Sequence, residues 1–123
     1  MDIQKFTEGQ RAGEHILSEA NGDRSRDEAT LASGNNLPAG AVLGQVTADG
    51  KYTELDPAGV DGSEVAAGVL YAPVDATSAD AACVVNTRDA ELSASALTWP
   101  SGITGGEQDQ ATAELQSAGI ILR

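Results

Sequence analysis

Ala41-Val42-Leu43-Gly44-Gln45-Val46, Asp49-Gly50, then Lys51-Tyr52-Thr53-Glu54-Leu55: this stretch decides the fold class. The first run reads as a strand, Asp-Gly is a tight-turn signal, and the second run answers as a strand. Two strands joined by a turn follow. Further along, Val65 to Val74 reads as one buried strand, because it is apolar and rich in β-branched residues. Thr77-Ser78-Ala79-Asp80 ends it, and Ala82-Cys83-Val84-Val85-Asn86-Thr87 reads as the strand that pairs with it.

Upstream, His15-Ile16-Leu17-Ser18-Glu19-Ala20 and Thr30-Leu31-Ala32 read as strands. Asn21-Gly22 reads as a type I′ turn, because both central positions of that turn need positive φ. The three together predict a weak hairpin, since an isolated pair of strands is marginal in water. Downstream, Ser93 to Thr98 fits helix and strand equally. Pro100 then bars its predecessor Trp99 from helical space. Thr104-Gly105-Gly106-Glu107 matches a capping box and predicts a helix start. Ala111, Leu115 and Ala118 recur at helical spacing, Gly119 fits a terminator, and Ile120-Ile121-Leu122 reads as a closing strand. The expected class is mainly β with a short C-terminal helix, an α+β chain.

The 123 residues fit one domain. Leu, Ile, Val and Phe number only 24, while Ala supplies 21 residues of small buried area, so the core is thin. Residues 1–36 hold five of those 24, namely Ile3, Phe6, Ile16, Leu17 and Leu31. The same stretch holds four of the seven cations, Lys5, Arg11, Arg24 and Arg26. It is therefore expected to be an arm, mobile over 1–13 and partly docked over 14–36, ahead of a compact body at 37–123. Cys83 is the single cysteine, so no intrachain disulfide reinforces the body, and oligomerisation is the expected reinforcement.

A net charge of −12 argues against a non-specific nucleic-acid binder and against docking on an anionic membrane. No run of 18 apolar residues occurs, and Met1-Asp2-Ile3-Gln4-Lys5 lacks the apolar core of a signal peptide. Synthesis in a cytoplasm is the expectation.

Chemical motifs are sparse. His15 is the only histidine, and no nucleophile elbow accompanies it, so a solvent-facing or contact role is expected. Cys83 lies in an apolar strand, where cysteine behaves as a small hydrophobe. Asp56, Asp61 and Glu64 share a loop without the alternating ligands of a calcium loop. Gly9 and Gly13 belong to no phosphate loop. No enzyme activity, cofactor or metal is expected. Trp99, with Pro100, reads as an anchor of the core or of a subunit interface.

A more specific signal lies in the order of several short motifs. Gly40-Ala41-Val42-Leu43-Gly44 precedes Ala67-Gly68-Val69-Leu70, then Asn86-Thr87-Arg88-Asp89-Ala90-Glu91-Leu92. Leu97-Thr98-Trp99-Pro100, an acidic helix and Ala118-Gly119-Ile120-Ile121-Leu122 complete the set. This order resembles the bacteriophage head decoration proteins of the lambda D family over roughly residues 37–123. Ser18-Glu19-Ala20-Asn21-Gly22 and Ser25-Arg26 resemble its longer-armed members.

The resemblance implies a β-clip-like body with an extended N-terminal arm. It implies a homotrimer on the outer surface of the expanded head, at local threefold sites, stabilising the shell against packaged DNA. The implied partner is the major capsid protein, and the implied location is the virion. Capsid contacts are then expected at Phe6, Ile16, Leu17, Arg24 and Arg26. Removal of residues 1–30 is expected to spare the folded body. The alternative is a non-catalytic virion-surface module that binds glycan, against which the low aromatic content speaks. A trimeric β-clip nucleotide hydrolase is a third class, and its acidic and Gly-rich motifs are not found.

Overall fold

The computed structural model describes residues 11–123. The chain is mostly β with one short C-terminal helix. Its strands are β1 (Ile16–Glu19), β2 (Arg26–Leu31), β3 (Asn35–Leu37), β4 (Val42–Gln45), β5 (Tyr52–Glu54), β6 (Ala66–Leu70), β7 (Val74–Ala76), β8 (Ala81–Asn86), β9 (Ala90–Leu92) and β10 (Ile120–Leu122). Helix α1 covers Gly105–Ser117, and a single 3-10 turn covers Ala94–Ala96.

Strands β2-β5-β4-β6-β8 close into a barrel. The predicted hairpin of β4 and β5 is present, with Leu43 opposite Glu54 and Gln45 opposite Tyr52. β6 and β8 pair antiparallel, as their sequence predicts. Val65 to Val74 is not one strand, however. β6 stops at Leu70, and the chain bends through Tyr71-Ala72-Pro73 before β7. Proline lacks the N–H that a central strand must donate, so the run breaks there.

Both upstream strands form, the second from Arg26 to Leu31 rather than from Thr30 to Ala32, but they do not pair with each other. β1 runs antiparallel to β9, with Ile16 opposite Leu92 and Glu19 opposite Ala90. β2 runs antiparallel to β8 over its whole length, from Arg26 opposite Asn86 to Leu31 opposite Ala81. It also touches β5 in parallel, at Leu31 and Tyr52. Six residues, 20–25, separate the two strands, too many for a tight hairpin turn. The expected arm boundary at residue 36 lies among these paired strands. It falls inside β3, which pairs with β7, and Leu31 is fully buried. Residues 11–36 are part of the body, and residues 1–10, with Phe6, lie outside the described residues.

Two cores share a wall. One draws Leu31, Leu43, Tyr52, Leu70, Cys83 and Val85 from all five barrel strands and fills the barrel. The other packs Val42, Val69, Leu92, Leu97, Leu115 and Ile120 between the barrel, α1 and the β1-β9-β10 sheet. Neighbours on one strand serve opposite cores: Val42 and Leu43 on β4, Val69 and Leu70 on β6. Strands buried on both faces read as unbroken apolar runs, which is why these two look so uniform in sequence.

Helix α1 begins as predicted. Glu107 N–H donates to Thr104 Oγ1 at 3.1 Å, and Thr104 N–H donates to Glu107 Oε1 at 2.9 Å. Ala111 and Leu115 face the core, whereas Ala118 is exposed, because it is already the C-cap. Gly119, at φ +92°, turns the chain into β10, which pairs in parallel with β9. Ser93 to Thr98 resolves into the 3-10 turn and an extended exit.

Candidate functional site

The region that receives the N-terminal segment is built on Tyr71 and Asn86, at the ends of β6 and β8. Gly13 N–H donates to Tyr71 O at 2.9 Å. A Cβ on Gly13 would lie 2.9 Å from the Tyr71 ring, so the close approach itself requires glycine. Arg11 N–H donates to the Glu14 carboxylate at 2.8 Å, closing the turn that leads into β1.

His15 is fully buried, which corrects the solvent-facing expectation. Its Nε2 lies 2.9 Å from Asn86 Oδ1. A carboxamide oxygen only accepts, so Nε2 donates, and Nδ1 of the neutral ring carries the lone pair. Among the described residues, His15 Nδ1 and Asn86 Nδ2 have no hydrogen-bond partner. Burial pushes the His15 imidazolium below its ordinary pKa, against the opposing pull of the Asn86 hydrogen bond and the Glu19 charge. Ser93 N–H donates to His15 O at 2.8 Å, so main chain and side chain both hold this residue.

Glu19 and Arg26 form a second clasp between β1 and β2. The Glu19 carboxylate accepts from Ser25 Oγ, from Arg26 Nε at 3.2 Å and from Arg26 Nη2. The Arg26 guanidinium lies 4.0 Å from the centroid of the Tyr71 ring, a cation–π contact. Burial works to raise the Glu19 pKa, yet the hydrogen bonds from Arg26 and Ser25 outweigh it and hold it below the usual value.

The expected contact residues therefore divide. Ile16 packs against the outer core, and Arg26 is engaged by Glu19 and Tyr71. Leu17 is 57% exposed on β1, and Arg24 is exposed in the turn after it. Lys51, Arg88 and Arg123 are paired with Asp80, Asp27 and Glu91. The Arg24 guanidinium has no such partner among the described residues, and only its carbonyl is used, by Arg88 at 2.8 Å. Trp99 packs, partly buried, on the outer core, and Pro100 is buried beside it.

A second exposed apolar area escaped the sequence reading. Val60 is 96% exposed at the tip of the loop from 56 to 64, and Val65 is 47% exposed at its base. Val65 lines a groove of about 530 Å³ with Leu55, Pro57 and Ala111, and Glu64 and Glu114 add acidic groups. An apolar residue amid Gly59, Asp61 and Gly62 was the available signal, because such a turn gives it nothing to pack on.

The loop acids are occupied locally. Asp56 accepts from Ala58 N–H at 3.2 Å, Asp61 from Ser63 N–H at 3.1 Å, and Glu64 from Gly62 N–H at 2.8 Å. These are turn-forming bonds. Among the described residues, no group of three or more His, Cys, Asp or Glu is arranged to hold a metal. Burial pushes the Cys83 thiol above its ordinary pKa, away from the thiolate that nucleophilic chemistry needs. Among the described residues, no helix is long and apolar enough to cross a membrane.

The sequence profile of the bacteriophage lambda head decoration protein D matches residues 5–120. The chain belongs to that family. No match was found among curated proteins. Membership in the head decoration family ties the chain to the phage capsid and to a structural role. The match starts at residue 5, so it takes in β1 and β2 as well as the later strands.

Proposed function

We propose that this head decoration protein binds as a homotrimer to the outer surface of the expanded head, at local threefold sites. There it clamps the major capsid protein and stabilises the shell against packaged DNA. The observation that carries the reading is the family match across residues 5–120. The exposed pair Leu17 and Arg24 supports it, because neither side chain has a structural task within the described chain. Phe6 and the residues around it extend this contact, and Ile16 and Arg26 hold its base in shape. Trp99 and Pro100 stiffen the body from within the outer core. Val60, Val65 and the groove beside them are the apolar area offered to a neighbouring subunit. The acidic body needs no contact with nucleic acid or membrane, and synthesis takes place in the host cytoplasm.

A terminal segment that orders on a capsid loses conformational entropy, on the order of 1–2 kcal/mol per residue. A single segment therefore binds weakly. Three on one trimer make the later contacts intramolecular and raise avidity by about 10²–10⁴. An added strand on an exposed sheet edge is one way to make such a contact.

The test mixes expanded, undecorated heads with the full chain and with a chain lacking residues 1–10, and measures bound protein by sedimentation. The full chain should saturate the heads and raise their resistance to heat, and the shortened chain should bind less. Equal binding by both would remove the N-terminal segment from the proposal. A monomeric mass on the head as well as in solution would remove the trimer.

A further inference from the structure

Asn21-Gly22 lost its sequence-predicted role as a hairpin turn, because β1 and β2 join different sheets. It remains the only Asn-Gly step among the four asparagines, Asn21, Asn35, Asn36 and Asn86. We propose that Asn21 is a site of spontaneous deamidation through a cyclic imide formed with the Gly22 backbone nitrogen.

The chemistry needs a free carboxamide, an accessible amide nitrogen and little bulk on the following residue. Both residues are exposed. Neither the Asn21 carboxamide nor Gly22 N–H makes a hydrogen bond among the described residues. Nothing lies within 4 Å of where a Gly22 Cβ would stand, so the closing ring meets no neighbour. Deprotonated Gly22 N attacks Asn21 Cγ, the new C–N bond forms, and the Cγ–Nδ2 bond breaks to release ammonia. Water then opens the imide at either carbonyl. One opening leaves aspartate at position 21, and the other leaves isoaspartate with the main chain rerouted through Cγ. No oxidant or reductant takes part.

The other asparagines are internal controls. Asn35 donates to Ala32 O at 2.9 Å, and its Oδ1 accepts from Glu54 N–H at 3.2 Å, so its carboxamide is held. Asn86 is fully buried in β8. Asn36 is exposed, but it is paired in β3 and followed by the bulky, buried Leu37. Only the 20–25 turn combines freedom with a following glycine. Conversion there adds a negative charge, and in the isoaspartyl form an extra main-chain carbon, next to the Glu19–Arg26 clasp.

The test incubates the full folded chain at mildly alkaline pH and follows the tryptic peptide 12–24 by mass, with an isoaspartyl methyltransferase as probe of the rerouted product. Asn21 should convert several-fold faster than Asn36 in the same sample, and the methyltransferase should label the peptide. Asn21→Gln, which leaves the exposed turn intact, should abolish both signals. Conversion at Asn21 no faster than at Asn36 would overturn the site. Acid formation without any methyltransferase label would overturn the imide route.

Discussion

β1 and β2 are separated by six residues, yet they carry different loads. β2 has neighbours on both sides, β8 along its whole length and β5 at Leu31, and it closes the barrel. Among the described residues β1 has one neighbour, β9, with an irregular register between Ile16 and Ser18. β2 ends in fully buried Leu31, whereas β1 turns Leu17 outward. β1 compensates through side chains: His15 reaches Asn86, and Glu19 holds Ser25 and Arg26. One strand is fastened by ladders on both sides and a fully buried core residue, the other by one ladder, partly buried Ile16 and two polar clasps. Removing a strand from a closed barrel exposes two edges and the interior, whereas removing a clasp loosens a flap.

This contrast can be broken first by truncation. Deleting residues 1–31 removes β2, and the barrel should not fold, which circular dichroism would report as lost β signal. That outcome is the opposite of the expectation that the body survives loss of residues 1–30. Next in size, Leu31→Ala should cost about 2–5 kcal/mol in urea unfolding, the range for large-to-small changes in a sealed core. A cost below about 1 kcal/mol would mean that β2 is less essential than its burial implies.

The clasps should give smaller and pH-dependent effects. The folded-state pKa of His15 lies below the unfolded value of 6.5, so the unfolded chain takes up the proton first. Stability is full above 6.5 and falls as pH drops from there toward the lowered folded value. Glu19 is also lowered, from 4.5, so its contribution is present above 4.5 and is lost as pH falls through its folded value. Urea midpoints across roughly pH 5 to 8 should show the first window, and His15→Gln should flatten it. A wild-type curve that is already flat there would sink this reading. Arg26→Ala should cost about 1 kcal/mol, since the ion pair is partly exposed and the Tyr71 contact adds a similar amount. Smallest of all, Leu17→Ser and Arg24→Ser should shift stability by less than about 0.5 kcal/mol while weakening head binding. A large loss of stability in either would give these residues a structural task.

Local signals were legible in the sequence wherever one segment decided the outcome. The Thr104–Glu107 box, the Gly119 stop and the β4–β5 turn all rest on residues a few positions apart. Of the upstream strands, β1 was legible, and β2 only at its end, Thr30 and Leu31. Their partners were not, because β2 meets β8 across fifty or more positions and no local residue encodes that choice. The burial of His15 was hidden for the same reason: Asn86, which accepts from its Nε2, lies 71 positions away. At the site, Leu17 and Arg24 stood in the expected contact set, but nothing local separated them from Ile16 and Arg26. Exposure depends on which side of β1 the barrel lies.

The arrangement of β9 between β1 and β10 sets an order of assembly. Every barrel strand lies within residues 26–86, so the barrel can close while the rest of the chain is still being made. The sheet that adjoins the N-terminal segment needs residues from 16 to 122. It cannot be completed until β10 has been made, and contacts this far apart in sequence are the slow ones to form. A newborn chain thus has its barrel before it has a finished seat for its first strand.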